Sequence, residues 1–374
     1  MKNLIVLVLE GEYRLTAAVL FCLHQQPGLQ VHMVSREEAS PFRYSRYLRS
    51  HHHQEQPAFR ADFVPFVALV AGRTGAQVLL PVDVEGMRFA IAHRAALEGV
   101  LRVVPLPSAG AYEIAADKSR LAVFMEAHGL PGPRTLSDLG RGLPARLAAL
   151  RFPVLLKPTD GAGGRGIRRY EAAPALLAAV AALPTGASYL VQTYLEGYDI
   201  DCNVLYANGQ LLAHSIQRGL VAAADPYAPA EAIEFVHNAA VLAVADALMT
   251  ALGWNGVAHL DLRYDAATGQ VNVIEINPRF WLTVVGSALA AGVNFPALAC
   301  RAALGQTPAL APAPAPATPG RYIPLMSFLR HRYAARRPRH PAAFAWADTS
   351  LAAFGGDPLP KLICLLNPRQ VRME

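Results

Sequence analysis

The chain has 374 residues, 53% hydrophobic and 17% charged, so it carries enough apolar side chain for roughly two to four folded domains and is no disordered polymer. Its formal net charge of +6 suits an anionic small ligand better than a nucleic acid, which needs a larger aligned cationic surface. No apolar run approaches the ~20 residues of a membrane-spanning helix. The four cysteines, Cys22, Cys202, Cys300 and Cys364, show no Cys-x-x-Cys spacing. That argues against a zinc ribbon or a disulfide framework and predicts a reducing, cytoplasmic setting. The amino-terminal Met-Lys-Asn is followed by an apolar strand pattern with no small-residue cleavage site, so secretion is not expected.

In chain order, residues 4–9 read as a buried strand and residues 14–25 as a helix closed by Pro27-Gly28. Residues 29–34 and 78–81 read as further strands, and 86–98 as a helix. This α/β alternation predicts an open parallel sheet over residues 1–112, with ligands at the carboxyl ends of its strands. The first strand runs into Glu10-Gly11-Glu12, so the GxGxxG turn of a dinucleotide fold is absent. Three adjacent histidines, His51-His52-His53, cannot all face one ion and have no flanking acid or cysteine; they read as a solvated loop. Residues 113–306 form a second, α+β unit with a smaller part at about 130–195. Its predicted elements are a helix at 115–128, a strand–loop–strand at 154–170, a helix at 174–183 and strands at 188–194, 200–207 and 210–217. They continue with a long helix at 235–252, strands at 256–264 and 270–277, and a helix near 288–304. Residues 307–374 begin with an Ala-Pro alternation at 308–319, a linker or surface strap, and end in a basic, Pro-punctuated segment.

Two patterns carry chemistry. Lys157 ends the apolar strand Leu155-Leu156-Lys157-Pro158, and Gly161, Gly163, Gly164 and Gly166 follow within nine residues. Glycine backbones approach anions closely, and a lysine fixed at a strand end adds a charge, so phosphate oxygens are a better guest than none. The P-loop pattern GxxxxGK[ST] is absent, and here the lysine precedes the glycines. The second pattern is Asp261 followed by Glu275-Ile276-Asn277-Pro278-Arg279. Residues two apart on a strand share a face, so Glu275 and Asn277 point together and Asp261 can sit beside them from the neighbouring strand. Two carboxylates and an amide oxygen suit Mg²⁺, and Arg279 lies where a guanidinium could hold a phosphoryl group. Val271, Val273, Ile274 and Ile276 make the strand look buried, and polar groups on such a strand need a partner.

In this order, over roughly residues 75–305, the parts resemble the ATP-grasp superfamily. The resemblance implies an ATP-grasp fold behind an open parallel α/β lobe. It implies that Lys118 and Lys157 hold ATP, with Gly161, Gly163, Gly164 and Gly166 as the phosphate-covering loop. Gln192-Thr193-Tyr194-Leu195 would be the hinge that reads adenine, and Asp199 the acid on the ribose. Asp261, Glu275 and Asn277 would bind Mg²⁺ or Mn²⁺, and Arg279, with Lys157, would steady the transferred phosphoryl group. Arg46-Tyr47, Leu79-Leu80-Pro81-Val82-Asp83 and the run from Glu275 to Trp281 look most like predicted ATP-dependent carboligases, or carboxylate–amine ligases. One departure is His259, where dipeptide-type ligases carry arginine. The implied activity is ATP-dependent activation of a carboxylate as an acyl phosphate, with ADP released, and its joining to an amine. Two alternatives stand beside it: a carboxylate kinase or carbamoyl-phosphate-type enzyme, and a non-catalytic nucleotide-binding module. The implied partners are small carboxylates and amines, with room for a homodimer. The basic run at 330–339 reads as a solvated face or a cap, with neither nucleic acid nor membrane expected.

Overall fold

β1 (Leu4–Leu9) is wholly apolar and buries four of its six side chains because it is the middle strand of a parallel sheet. The computed structural model describes residues 4–140, 142–159, 163–306, 320–333 and 344–366. After β1 come α1 (Tyr13–His24), β2 (Leu29–Ser35), β3 (Ser50–His53), α2 (Val64–Thr74) and β4 (Val78–Pro81). Then follow α3 (Val84–Ala92), α4 (Arg94–Glu98) and β5 (Arg102–Val103), and the sheet order is β3-β2-β1-β4-β5. The predicted helix at 86–98 is two helices, broken at His93 (φ −111°). The three histidines are strand β3, paired in parallel with β2, and not a loop. Ser50 Oγ lies 2.6 Å from His32 Nδ1 and 2.7 Å from His52 Nε2. His51 Nε2 lies 3.6 Å from Glu10 Oε2, an acid that flanks it in space and not in sequence.

α5 (Ala109–Ala116) and α6 (Lys118–Ala127) replace the single helix expected at 115–128. Asp117 separates them: its carboxylate accepts from the Ser119 and Arg120 amides and so caps α6. β6 (Thr135–Leu136), α7 (Leu143–Leu147), β7 (Val154–Pro158), β8 (Arg168–Tyr170), α8 (Ala173–Ala181) and β9 (Tyr189–Thr193) build a four-stranded sheet of order β6-β9-β7-β8. It has its own core, with Leu143, Leu147, Val154, Leu156, Leu176 and Val191.

Six antiparallel strands make the third sheet, of order β14-β13-β10-β11-β12-β15. They are β10 (Tyr198–Ala207), β11 (Gln210–Val221), β12 (Ala232–Val236), β13 (Gly256–Asp265), β14 (Gln270–Asn277) and β15 (Arg321–Tyr322), with α9 (Ala239–Ala251) between β12 and β13. The helix expected at 235–252 therefore begins late. Ile233, Phe235 and Val236 favour the sheet, and Asn238 caps α9 by accepting from the Val241 amide. Likewise the helix expected near 288–304 is α10 (Val284–Leu289) and α11 (Phe295–Ala303), separated by Gly292 at φ +70° and the Asn294 cap. One apolar core runs continuously from the parallel sheet into the six-stranded sheet. α12 (Leu325–Tyr333), α13 (Leu351–Gly356) and α14 (Pro358–Leu366) are the last elements of the described residues. Asp357, between the last two, accepts from Ser45 Oγ and from the Arg46 amide, which ties this end to the first lobe. The Ala-Pro stretch and the part of the basic run from 334 to 339 lie outside the described residues. Among the described residues, no helix is long and apolar enough to cross a membrane.

Candidate functional site

The register of β13 and β14 sets Asp261 opposite Glu275 and His259 opposite Asn277. β10 then sets Asp201 opposite Asp261 and Asn203 opposite His259 on the other side. The amide of Asn277 donates to Asp261 Oδ2 at 3.1 Å, and its nitrogen lies 3.5 Å from Glu275 Oε1. Three of the predicted metal ligands are thus one cluster. The two carboxylates suit a hard divalent cation, and Asn277 would add its oxygen by turning its amide, since its nitrogen faces the acids and its oxygen faces Arg279. Arg279 donates to Asn277 Oδ1 at 3.3 Å and to the Phe280 carbonyl at 2.7 Å, which fixes the guanidinium beside them.

Of the two predicted lysines, Lys118 contacts this cluster, and Lys157 feels the charge of Glu275 from the small sheet. Lys118, the first residue of α6, places Nζ 3.1 Å from Glu275 Oε2. Lys157 is 7% exposed at the end of β7, and its Nζ donates to Gln192 Oε1 at 2.7 Å. Gln192 in turn donates to Thr135 Oγ1 at 3.0 Å, so β6, β9 and β7 hold the ammonium between them. Burial pushes the Lys157 pKa down to about 8, against the attraction of Glu275. Burial also raises the Glu275 carboxyl, and the Asp261 charge raises it further, while Lys118 opposes both. For Asp261, burial pushes upward, but the charges and hydrogen bonds of His259, Glu275 and Arg279 leave the carboxyl below its ordinary value. Burial raises the Asp201 carboxyl.

The glycine loop follows Lys157 and joins β7 to β8 of the small sheet. Gly163, Gly164 and Gly166 have φ of +64°, +77° and +79°, and Gly164 packs on the backbone carbonyl of Tyr227, from the β11–β12 loop. Gly161 lies outside the described residues. In the segment Gln192–Leu195, expected to read adenine, the backbone groups are partly used within the protein. Thr193 N donates to the Arg134 carbonyl, Tyr194 N to the Pro153 carbonyl, and the Leu195 carbonyl accepts from Arg263 Nε. Gln192 turns its side chain to Lys157. Asp199 is largely exposed and pairs with Arg263 Nη1 at 2.6 Å, and Arg263 also reaches Tyr194 Oη at 3.3 Å. Sequence reasoning missed Asp201, Arg263 and Tyr227. The alternation Asp199, Asp201, Asn203 on β10 was the available signal for Asp201.

A family described as "ATP-grasp in the biosynthetic pathway with Ter operon" matches residues 186–322. The arginine-specific large chain of carbamoyl phosphate synthase from Geobacillus stearothermophilus is 25% identical over 198 residues, 51% of this chain and 19% of that one. A D-alanine–D-alanine ligase from Kineococcus radiotolerans is 28% identical over 248 residues, 55% of this chain and 64% of that one. The match thus spans about a fifth of the synthase chain and just under two thirds of the ligase. Among solved structures, the biotin carboxylase domain of Hydrogenobacter thermophilus 2-oxoglutarate carboxylase, crystallised with MgADP, ADP and bicarbonate, superposes with a TM-score of 0.62. That match is 17% identical and covers 81% of this chain and 70% of the other.

Proposed function

We propose that this chain, which belongs to the ATP-grasp superfamily by its fold and these likenesses, is an ATP-dependent ligase that joins a small carboxylate to an amine. One observation supports the reading: Lys118 reaches Glu275, Asn277 joins Glu275 to Asp261, Arg279 is fixed on Asn277, and the Glu275 charge acts on the buried Lys157 of the other sheet. A carboxylate is a poor electrophile. Its oxygen would attack the γ-phosphorus of ATP, the bond to the β–γ bridging oxygen would break, and ADP would leave. A neutral amine would then attack the acyl carbon and expel phosphate, giving an amide.

Lys118 and Lys157 would bind phosphate oxygens, and Arg279 would sit against the transferring group, an electrostatic and positioning role. Asp261, Glu275 and Asn277 would hold Mg²⁺ or Mn²⁺, which when bound neutralises phosphate charge. The glycine loop would exclude water from the acyl phosphate. The relatives support the class: one is a carbamoyl phosphate synthase chain and one is a D-alanine–D-alanine ligase.

The test is an ADP-release screen over small carboxylates and amino acids, followed by a run with carboxyl-¹⁸O substrate. The expected result is ADP, label in inorganic phosphate, and a hydroxamate when hydroxylamine replaces the amine. Label in AMP would overturn the reading. ADP release indifferent to every amine would turn it into a carboxylate kinase.

A further inference from the structure

Beside the acids already described, the same sheet face holds a second convergence. Asp201, His259 and Asp261 each offer one ligand atom, and these atoms lie within 4.8 Å of one another. His259 Nε2 is 2.9 Å from Asp261 Oδ1. A separate partner outside the trio holds each side chain from behind. His259 Nδ1 lies 2.6 Å from Asn203 Oδ1. The Asn203 amide nitrogen donates to Ser215 Oγ at 3.1 Å and to Gln217 Oε1 at 3.4 Å, so oxygen is the atom turned to the ring. An amide oxygen only accepts, so Nδ1 carries the hydrogen and Nε2 is left for the shared space. Gln217 Nε2 donates to Asp201 Oδ2 at 2.9 Å, and Asn277 Nδ2 donates to Asp261 Oδ2 at 3.1 Å. The Trp281 indole stacks on the imidazole, with ring centres 5.8 Å apart and planes 18° apart. Ligands steered by outer hydrogen bonds onto one point are the arrangement that metal-binding imidazoles and carboxylates adopt.

We propose that Asp201, His259 and Asp261 form a divalent-cation site of their own, bridged through Asp261 to the Glu275–Asn277 site. Its imidazole ligand gives it a preference for a first-row transition ion such as Zn²⁺ over Mg²⁺. In the simpler arrangement with no ion, His259 and Asp261 are just an ion pair.

The probe is Mn²⁺ alone, added to the full chain and followed by pulsed electron paramagnetic resonance. The expected spectrum shows coupling to one directly bound ¹⁴N, which disappears in His259→Gln. In Asp201→Asn, the number of Mn²⁺ ions bound per chain, read by calorimetry, falls by one; in the unmodified protein Zn²⁺ displaces the nitrogen-coupled Mn²⁺ before the rest. Absence of ¹⁴N coupling in the unmodified protein at saturating Mn²⁺ would overturn the site, a reading that needs no variant to fold. Persistence of the coupling in His259→Gln would do the same. The site does not depend on the ligase reading: nitrogen coupling without any ADP-forming activity would sink that reading and leave the cation site standing.

Discussion

Lys157 has three donors and, in Gln192 Oε1, a neutral acceptor, at a position where only 7% of the residue meets solvent. A buried ammonium so placed costs free energy until an anion arrives, and its pKa has fallen to about 8 under burial. Triphosphate oxygens would supply the missing acceptors. Lys157→Ala is therefore expected to weaken ATP binding by about 1.5–3 kcal/mol, the worth of a charge-assisted hydrogen bond. The Gln192–Thr135 bond and the apolar β7 remain, so the fold should persist. Calorimetric titration with ATP checks this, and an unchanged affinity would remove Lys157 from the site. The sign of the pH effect follows from the same value. The side chain is charged below about pH 8 and neutral above it, so kcat/KM for ATP should fall as pH rises through 8. Lys157→Arg stays charged, and its profile should lose that alkaline limb even where its overall rate is lower. A flat wild-type profile between pH 7 and 9 would contradict the assignment.

Two loops meet where the glycine loop after β7 touches the β11–β12 loop. Gly164 sits at φ +77°, and a Cβ there would overlap the Tyr227 carbonyl. Gly164→Ala therefore has to open this contact or strain the loop, at about 1–3 kcal/mol. If the loop shields an acyl phosphate, the variant should still hydrolyse ATP but lose coupling, with several-fold more phosphate released per amide formed. Unchanged coupling would mean that the contact excludes no water. Period-two alternation and the Ala-Ala-Thr-Gly turn make β13 and β14 legible as a hairpin in the sequence, and with them Asp261, Glu275 and Asn277. The alternation on β10 marks a polar face that includes Asp201, but its pairing with Asp261 on β13, 60 residues away, leaves no pattern in the sequence. The apolar run that begins at Phe235 is compatible with either helix or strand; only its place between β11 and β15 makes it β12. His51 failed for the same reason, since Glu10 reaches it across the sheet.

At the scale of the whole molecule, the structure has a large core that unites the parallel and six-stranded sheets, and a separate small core under the sheet that carries Lys157 and the glycine loop. The polar ties between them include the Val273 amide donating to the Pro131 carbonyl, and Arg263 reaching the Leu195 carbonyl. A few such bonds are weak coupling beside a core, so without nucleotide the small sheet should open before the rest. A nucleotide held by Lys157 on one side and by Lys118 and the metal acids on the other would join the two. At a hundred times its Kd it would stabilise the joined state by about 2.7 kcal/mol. Scanning calorimetry should therefore show two transitions for the free protein. With Mg²⁺ and a non-hydrolysable ATP analogue, the lower one should move up and merge towards the higher. Lys157→Ala should keep the two transitions apart at the same analogue concentration. If the free protein melts in a single transition that the analogue does not move, the nucleotide does not bridge the two cores and its site must be sought elsewhere.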